Sequence, residues 1–345
     1  MRATPSSAVL PVVPRPERDE RLSSWLNRLA RLYAMPVSAF MECCGLNGGD
    51  AAALEWRLRE GEGAALASRT GMTIEALRTM TFEEIAPHAR LMLAPAGRSV
   101  CRHCQPDMHR KTAAFPWNFW CCEHHVRLEA RDGGNLEVRL PEAVLTRLDV
   151  NAREGAMRLA DWARGSDAGV PSLPELLDFV TTRYCKSSPL SLAEQPLPSL
   201  AARRTRHAFL TRPTARHALL VIVPEYDRVA TGFDRPIRAG LFSLARGSLL
   251  QKYALTVAVG RLAADPVGYA ASVLLASDHE GEERLQEALR TWPLTLRRRI
   301  FVRLQRVVAA HSDAAAGDIR AGGTESPPVS KVWTRNLKMM RGIAA

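Results

Sequence analysis

Four residues near the middle of the chain have the types and spacing of a tetrahedral metal site. They form two pairs, Cys101 with Cys104 and Cys121 with His124, and two residues separate the members of each pair. This spacing lets both side chains of a pair face one ion, and three thiolates with one imidazole satisfy zinc. The intervening residues 105–120 are enough to bring the second pair back to the first. The sequence therefore predicts a Zn²⁺ ion bound by these four residues.

Two alternatives to this ligand set remain open at this stage. Cys122 and His125 have the same spacing as Cys121 and His124, so the second pair of ligands could shift by one residue. The thiols could also be reduced, buried side chains that lie near one another without a metal. The paired spacing favours zinc over chance proximity.

The predicted zinc site is structural, and we predict that the chain is not an enzyme. Four protein ligands fill the coordination shell and leave no position for a reactive water. The H-x-E and P-C-x-x-C signature of zinc deaminases is absent around Cys101, and His279–Glu280 has no second histidine in metalloprotease register. The sequence also lacks a phosphate-binding G-x4-G-K-[ST] motif, and no catalytic residue is predicted.

The cysteines favour a reducing compartment. The chain has 7 of them, an odd number, and Cys43–Cys44 and Cys121–Cys122 are adjacent pairs that form disulfides poorly. Met1–Ala8 lacks the apolar segment of a secretory signal, and no long uncharged apolar run is present. We expect a cytoplasmic protein without a membrane partner.

The charge of the chain suits an anionic partner. The 345 residues carry a net charge of +11, mostly from arginine, and 46% of them are hydrophobic. Codon composition is one explanation of the arginine excess, and the other is that guanidinium groups match phosphates and base edges. In a helix, Arg299, Arg303 and Arg306 share one face, and Ile300 and Leu304 lie on another. The residues predicted to contact nucleic-acid phosphates are Arg203, Arg204, Arg206, Arg299, Arg303 and Arg306.

The elements that must position these groups are mostly α-helical. In the segment 20–33, a stripe of Leu22, Trp25, Leu26, Leu29 and Leu32 recurs at helical spacing. The other face of this helix is expected to hold Arg21, Asn27, Arg28 and Arg31.

The same helix is expected to belong to a helix-turn-helix unit, because Pro36 ends it and a second helix follows through Phe40 and Met41. A second candidate for a helix-turn-helix unit has Gly71 at its turn and Thr73 as the N-cap of the helix that follows.

The predicted organisation has six segments. Aromatic residues within the zinc segment, Phe115, Trp117, Phe119 and Trp120, are interpreted as a small core rather than as a base-stacking platform. The apolar run 218–223 fits either a strand or a helix. The segments are a helical N-terminal domain (1–95), a zinc knuckle (96–135), a helical segment (136–186), a linker (187–200), a basic helical C-terminal domain (201–312) and a flexible tail with a short terminal helix (313–345).

Three ordered motifs carry a resemblance to a known family. The stretches Leu10–Pro16 and Glu20–Ala30 resemble the N-terminal signature of the TniQ/TnsD family of bacterial transposon target-selection proteins. Thr70–Leu77 resembles its internal T-G-L-S-x-x-x-L turn, and Cys121–Leu128 resembles the C-P-E-H-G-V-R-L ending of its zinc knuckle. This chain differs from the pattern at Arg21, where a small residue is common, and at the residue after His124, where glycine is usual.

The resemblance implies a non-catalytic adaptor. It would connect a target signal, either a DNA site or a guide-RNA effector complex as in CRISPR-associated transposons, to the transposon's AAA+ ATPase and transposase. It implies a possible homodimer and favours Cys121 and His124 over Cys122 and His125 as ligands. The alternative function is a zinc-containing helix-turn-helix DNA-binding transcriptional regulator.

Overall fold

The chain divides into two units: Met1–Val138 with Ala160–Ser166, and Arg139–Leu159 with Asp167–Ala345. The structure, a computed structural model, describes residues 9–46, 50–93, 99–104, 108–130, 135–185, 216–230 and 237–320. The prediction of a mostly helical fold is confirmed. The finer division into six segments stays a prediction, and the linker lies outside the described residues. Of the predicted flexible tail, the described residues 313–320 are helical.

The first unit contains short helices followed by a small two-stranded sheet. Strands β1 and β2 pair antiparallel, with Ser99 opposite Ala130 and Val100 opposite Glu129. Its elements are α1 (Leu22–Leu32), α2 (Val37–Cys43), α3 (Ala51–Leu54), α4 (Glu60–Thr70), α5 (Ile74–Thr79), α6 (Pro87–Arg90), β1 (Ser99–Val100), a 3-10 helix (Thr112–Ala114) and β2 (Glu129–Ala130). The short α7 (Leu136–Arg139) follows them.

The core of the first unit forms on the predicted apolar stripe of α1. Leu22, Trp25, Leu26 and Leu29 have no exposed surface, and they pack with residues of α2, α3 and α4. The indole Nε1 of Trp25 donates to the Pro14 carbonyl oxygen at 2.9 Å. Leu32 was wrongly assigned to this stripe, because it is the last residue of α1, where the chain turns away, and it is 51% exposed.

Both predicted helix-turn-helix segments are helical pairs in the structure. The first joins α1 to α2 through a turn in which Ala34 has φ 51°. In the second, Gly71 ends α4 in the left-handed conformation with φ 68°, which glycine adopts without steric cost. The Thr73 hydroxyl then accepts the Ala76 N–H at 3.2 Å and caps α5.

The second unit is built around long helices. A two-stranded sheet in it pairs Arg183 with His217 and Cys185 with Arg216. The run 218–223, which fitted a strand or a helix, contains a helix. The elements are α8 (Glu142–Arg164, up to Leu159 in this unit), α9 (Leu173–Thr181), β3 (Arg183–Cys185), β4 (Arg216–His217), α10 (Leu219–Ile222), α11 (Pro224–Val229), α12 (Phe242–Arg246), α13 (Leu249–Ala264), α14 (Pro266–Ala276), α15 (His279–Leu289) and α16 (Leu294–Arg320).

Helix α13 lies at the centre of this unit. Of its 16 residues, 12 are buried, which explains its lack of a polar face. It crosses α8 at two glycines: a Cβ on Gly155 would lie 1.9 Å from the Thr256 carbonyl oxygen, and one on Gly260 would lie 2.0 Å from that of Asn151. The two backbones meet where no larger residue fits. Among the described residues, no helix is both long and apolar enough to cross a bilayer.

Candidate functional site

Two tight turns between strands β1 and β2 carry the predicted metal ligands. Cys101 follows β1 directly, and the Cys104 N–H donates to the Cys101 carbonyl oxygen at 3.3 Å. In the second turn, the His125 N–H donates to the Cys121 carbonyl oxygen at 3.0 Å. Each turn also directs a backbone N–H at a sulfur: that of His103 at Cys101 Sγ (3.4 Å) and that of His124 at Cys121 Sγ (3.5 Å).

The four side chains converge on one point. His124 Nδ1 lies 3.6 Å from Cys101 Sγ, 3.5 Å from Cys104 Sγ and 3.6 Å from Cys121 Sγ. The sulfurs of Cys104 and Cys121 are 3.7 Å apart, and all four ligand atoms lie within 4.8 Å of one another. This cluster could hold a metal ion.

The alternative pair of ligands does not belong to the cluster. Cys122 Sγ points at Asp19 Oδ2 (3.9 Å) and at Arg110 Nη1 (3.7 Å). His125 is exposed and has φ 54°. It stands where the motif C-P-E-H-G-V-R-L has glycine. The structure therefore groups Cys121 and His124 with the first pair.

The surroundings shift the pKa values of two of the cluster's thiols in opposite directions. Burial alone would raise the pKa of Cys121, but N–H groups of His124 and Glu123 and the His124 side chain lower it to about 6. Burial raises the pKa of Cys104 to about 11 although the Arg110 side chain opposes this. The surroundings of Cys121 therefore favour its thiolate, which is the form that binds metal ions.

Sequence reasoning missed Arg110, whose side chain contacts the cluster from inside the protein. Arg110 Nε donates to Cys104 Sγ at 3.4 Å, and the side chain is 8% exposed. Its Nη1 donates to the Arg18 carbonyl oxygen, 92 residues away in the chain. No spacing rule relates positions so far apart, so the sequence carried no signal for this contact.

The placement of Arg21 on the polar face of α1 was wrong. It is the N-cap residue, with φ −78° and ψ 151°, so the helical period does not extend to it. Its side chain is 2% exposed; Nε donates to the Arg110 carbonyl oxygen at 3.2 Å, and the guanidinium lies 5.5 Å from the centre of the Phe82 ring. Its Nη1 is 3.9 Å from Glu55 Oε2, and burial raises the pKa of that carboxyl.

The aromatic residues between the two ligand pairs form a core, as predicted. Trp117 and Phe119 are each 2% exposed. The rings of Phe115 and Trp117 are 5.3 Å apart, and Phe115 meets Phe82 edge to face at 6.3 Å. Trp117 and Phe119 are therefore not available to stack on bases, whereas Phe115 and Trp120 are half-buried.

A basic surface lies on α16, in the second unit. Arg299, Arg303 and Arg306 are exposed, whereas Ile300 and Leu304 on the other face are each 2% exposed. None of these three arginines forms a salt bridge with a residue that the structure describes. The sequence has no Asp or Glu from 294 to 312. The other predicted phosphate contacts, Arg203, Arg204 and Arg206, lie outside the described residues.

Comparison with known proteins finds one family. The family model TniQ matches residues 11–128, which lie inside the first unit and include all four clustered ligand residues. No curated protein and no solved structure shows significant similarity to the chain.

Proposed function

Because residues 11–128 match the TniQ family model, we propose that the chain is a non-catalytic adaptor in target selection by a mobile DNA element. At family level, a TniQ domain implies target selection in transposition. In our proposal, the chain links a target signal, either a DNA site or a guide-RNA complex, to the element's AAA+ ATPase and transposase. It acts in the cytoplasm, where its thiols stay reduced, and as a homodimer.

The metal of the first unit is Zn²⁺ in this proposal, and the distances between the ligand atoms support it. A tetrahedral ion with Zn–S of about 2.3 Å and Zn–N of about 2.0–2.1 Å separates sulfur from nitrogen by about 3.6 Å and sulfur from sulfur by about 3.8 Å. The three sulfur–nitrogen separations are 3.5–3.6 Å, and the sulfurs of Cys104 and Cys121 are 3.7 Å apart. The sulfur of Cys101 lies within 4.8 Å of the other two. Cys101, Cys104, Cys121 and His124 would hold the ion, which would supply structural cross-linking.

Elemental analysis of protein purified without chelator tests the metal. We expect one zinc per chain, retained in Cys122→Ser and lost in Cys121→Ser. This pair of variants is matched, because the two cysteines are adjacent and only one belongs to the cluster. Protein without stoichiometric zinc would contradict the proposal, and the opposite behaviour of the two variants would move the ligands by one residue.

Contact with nucleic-acid phosphates is assigned to α16, and its salt dependence tests the assignment. Arginines that meet phosphates release counterions, so replacing Arg299, Arg303 and Arg306 by alanine should flatten the log–log salt dependence of duplex affinity by roughly 2–3 units. The control removes three exposed arginines that already face a carboxylate: Arg78 (Glu83), Arg164 (Asp161) and Arg290 (Glu287). Equal slopes for both triple variants would remove α16 from the interface.

The adaptor role is tested in cells that carry the complete element. Deleting the chain should abolish insertion at the preferred site, and tagged protein should co-purify with the ATPase. Sequencing the retained nucleic acids would show whether the target signal is DNA or a guide RNA. Unchanged insertion frequency and site choice after deletion would contradict the role.

A further inference from the structure

The segment before α1, Glu17–Arg21, is joined to the knuckle by backbone pairing. Glu20 and Arg110 form an antiparallel bridge. The Arg21 N–H donates to the His109 carbonyl oxygen at 3.0 Å, and the Lys111 N–H donates to that of Asp19 at 2.8 Å. We call Glu17–Arg21 the arm.

Side chains on both sides strengthen this junction. Asp19 Oδ2 accepts from the Thr112 N–H at 3.0 Å and from its hydroxyl at 2.6 Å. On the side of α1, the Ser24 hydroxyl oxygen accepts the His109 N–H at 3.1 Å. The first turn of α1 and the residues following the first ligand pair are therefore parts of one hydrogen-bonded assembly.

Arg110 belongs to this assembly and also touches the ligand cluster. One guanidinium donates to Cys104 Sγ through Nε and to the Arg18 carbonyl oxygen through Nη1. The backbone carbonyl oxygen of Arg110 accepts a hydrogen bond from Arg21 Nε. A planar guanidinium can hold such divergent acceptors at fixed angles, whereas a lysine ammonium is a single point of charge.

We propose that Arg110 is a positioning residue that couples metal binding by the knuckle to the docking of the arm and the start of α1. The proposal rests on the zinc site proposed above. Three thiolates and a neutral imidazole leave a divalent site with one net negative charge, and the nearly buried guanidinium offsets this charge from 3.4 Å. The exposed Glu123 carboxylate lies 4.0 Å from Nη1 of the same guanidinium. The same side chain holds the arm through Arg18, so the metal-bound knuckle and the docked arm stabilise each other.

The first test measures the metal site in the full chain loaded with Co²⁺ or Zn²⁺. Arg110→Gln should weaken Zn²⁺ binding by about 10–100-fold, as the loss of a group that holds a ligand does. It should also shift the thiolate-to-cobalt charge-transfer band, because Cys104 loses an N–H donor. The Zn²⁺ affinity of Arg110→Lys should lie between those of the wild type and Arg110→Gln. The control is Arg102→Gln, which removes the same charge from an exposed residue of the same knuckle. Equal affinity and spectra for Arg110→Gln and Arg102→Gln would overturn the proposal.

The second test measures the arm by amide hydrogen exchange with zinc bound. In Arg110→Gln, amides of residues 19–24 should exchange about tenfold faster, while those of α4 keep their protection. Thermodynamic reciprocity adds a variant in the arm: Asp19→Ala should weaken zinc binding although Asp19 touches none of the four ligands. Unchanged zinc affinity in Asp19→Ala would contradict the coupling.

The wild-type chain supplies the same test without a substitution, in case Arg110→Gln fails to fold. After a chelator withdraws the zinc, residues 19–24 should lose protection together with the knuckle, ahead of α4. If zinc is present but its removal leaves the arm protected, the coupling is wrong and the zinc site stands. If the purified chain holds no metal, the zinc proposal fails, and the coupling fails with it.

Discussion

The two units of this chain differ most in charge. The first contains 18 Lys and Arg residues against 17 Asp and Glu residues, and the second contains 29 against 19. The TniQ match lies inside the almost neutral unit. The exposed residues of α2, the second helix of the first helix pair, are Ser38, Glu42 and Cys43, and none is basic. The charge therefore favours the second unit over this helix pair for contact with phosphates, because attraction for a polyanion follows the charge.

The units also differ in what holds them together. The first unit has an apolar core on α1, and buried arginines and carboxylates join this core to the clustered thiols. The second unit packs its helices around the mostly apolar α13. Polar cores depend on every partner being present, and apolar cores depend on volume. Substitutions should therefore act locally and by different mechanisms in the two units.

The largest effect should follow the loss of a metal ligand. Cys101→Ser should release the ion and unfold residues 99–130, because structural zinc contributes on the order of 10 kcal/mol of apparent folding free energy. Hydrogen exchange should show this loss in the first unit and unchanged protection in α13. Cys43→Ser, an exposed cysteine outside the cluster, is the control. Loss of protection in α13 as well would show that the units do not fold separately.

Removing the central aromatic residue of the first unit comes next. Trp25→Ala should lower the free energy of unfolding by about 3–5 kcal/mol, as the truncation of a large buried side chain does. Leu32→Ala on the same helix should cost about 0.5 kcal/mol or less, because Leu32 is half exposed. Denaturant titration of both variants checks this, and comparable losses would place Leu32 in the core after all.

The helix crossing of the second unit should respond to a single added methyl group. Gly260→Ala places a Cβ 2.0 Å from the Asn151 carbonyl oxygen, so α8 and α13 must separate, at a cost of about 1–3 kcal/mol. In the first unit, Gly61→Ala has open space on α4 and should stabilise by up to about 1 kcal/mol. In thermal unfolding, the melting temperature should fall for Gly260→Ala and rise for Gly61→Ala.

The smallest expected change is a gain in stability. His125→Gly should raise the free energy of unfolding of the zinc-bound protein by about 0.5–1 kcal/mol, because φ 54° strains a residue that has a Cβ. Melting temperature and zinc content are measured together. Loss of zinc in this variant would show that His125, and not His124, binds the metal.

Local patterns in the sequence predicted what local geometry determines. The ligand pairs, the turn at Gly71, the cap at Thr73 and the buried stripe of α1 all depend on residues a few positions apart. The apolar run at 218–223 was ambiguous because continuous apolar residues carry neither helical nor strand periodicity.

The contacts that join the first unit could not be predicted from the sequence. Arg21 meets Arg110 across 89 residues, and Asp19 meets Thr112 across 93. Neither residue type nor spacing indicates such pairs. A charged residue just outside an amphipathic helix also suggests exposure, which is the wrong conclusion for Arg21.

The residues before α1 affect how this protein can be shortened. Leu10 N–H donates to the Arg69 carbonyl oxygen, Val12 exchanges two hydrogen bonds with the Tyr33 hydroxyl, and Pro14 accepts the indole N–H of Trp25. This stretch has no helix, so trimming the chain to its first helical residue looks harmless. Such trimming would instead leave an indole without its acceptor and uncover the apolar core, and the product should aggregate when expressed.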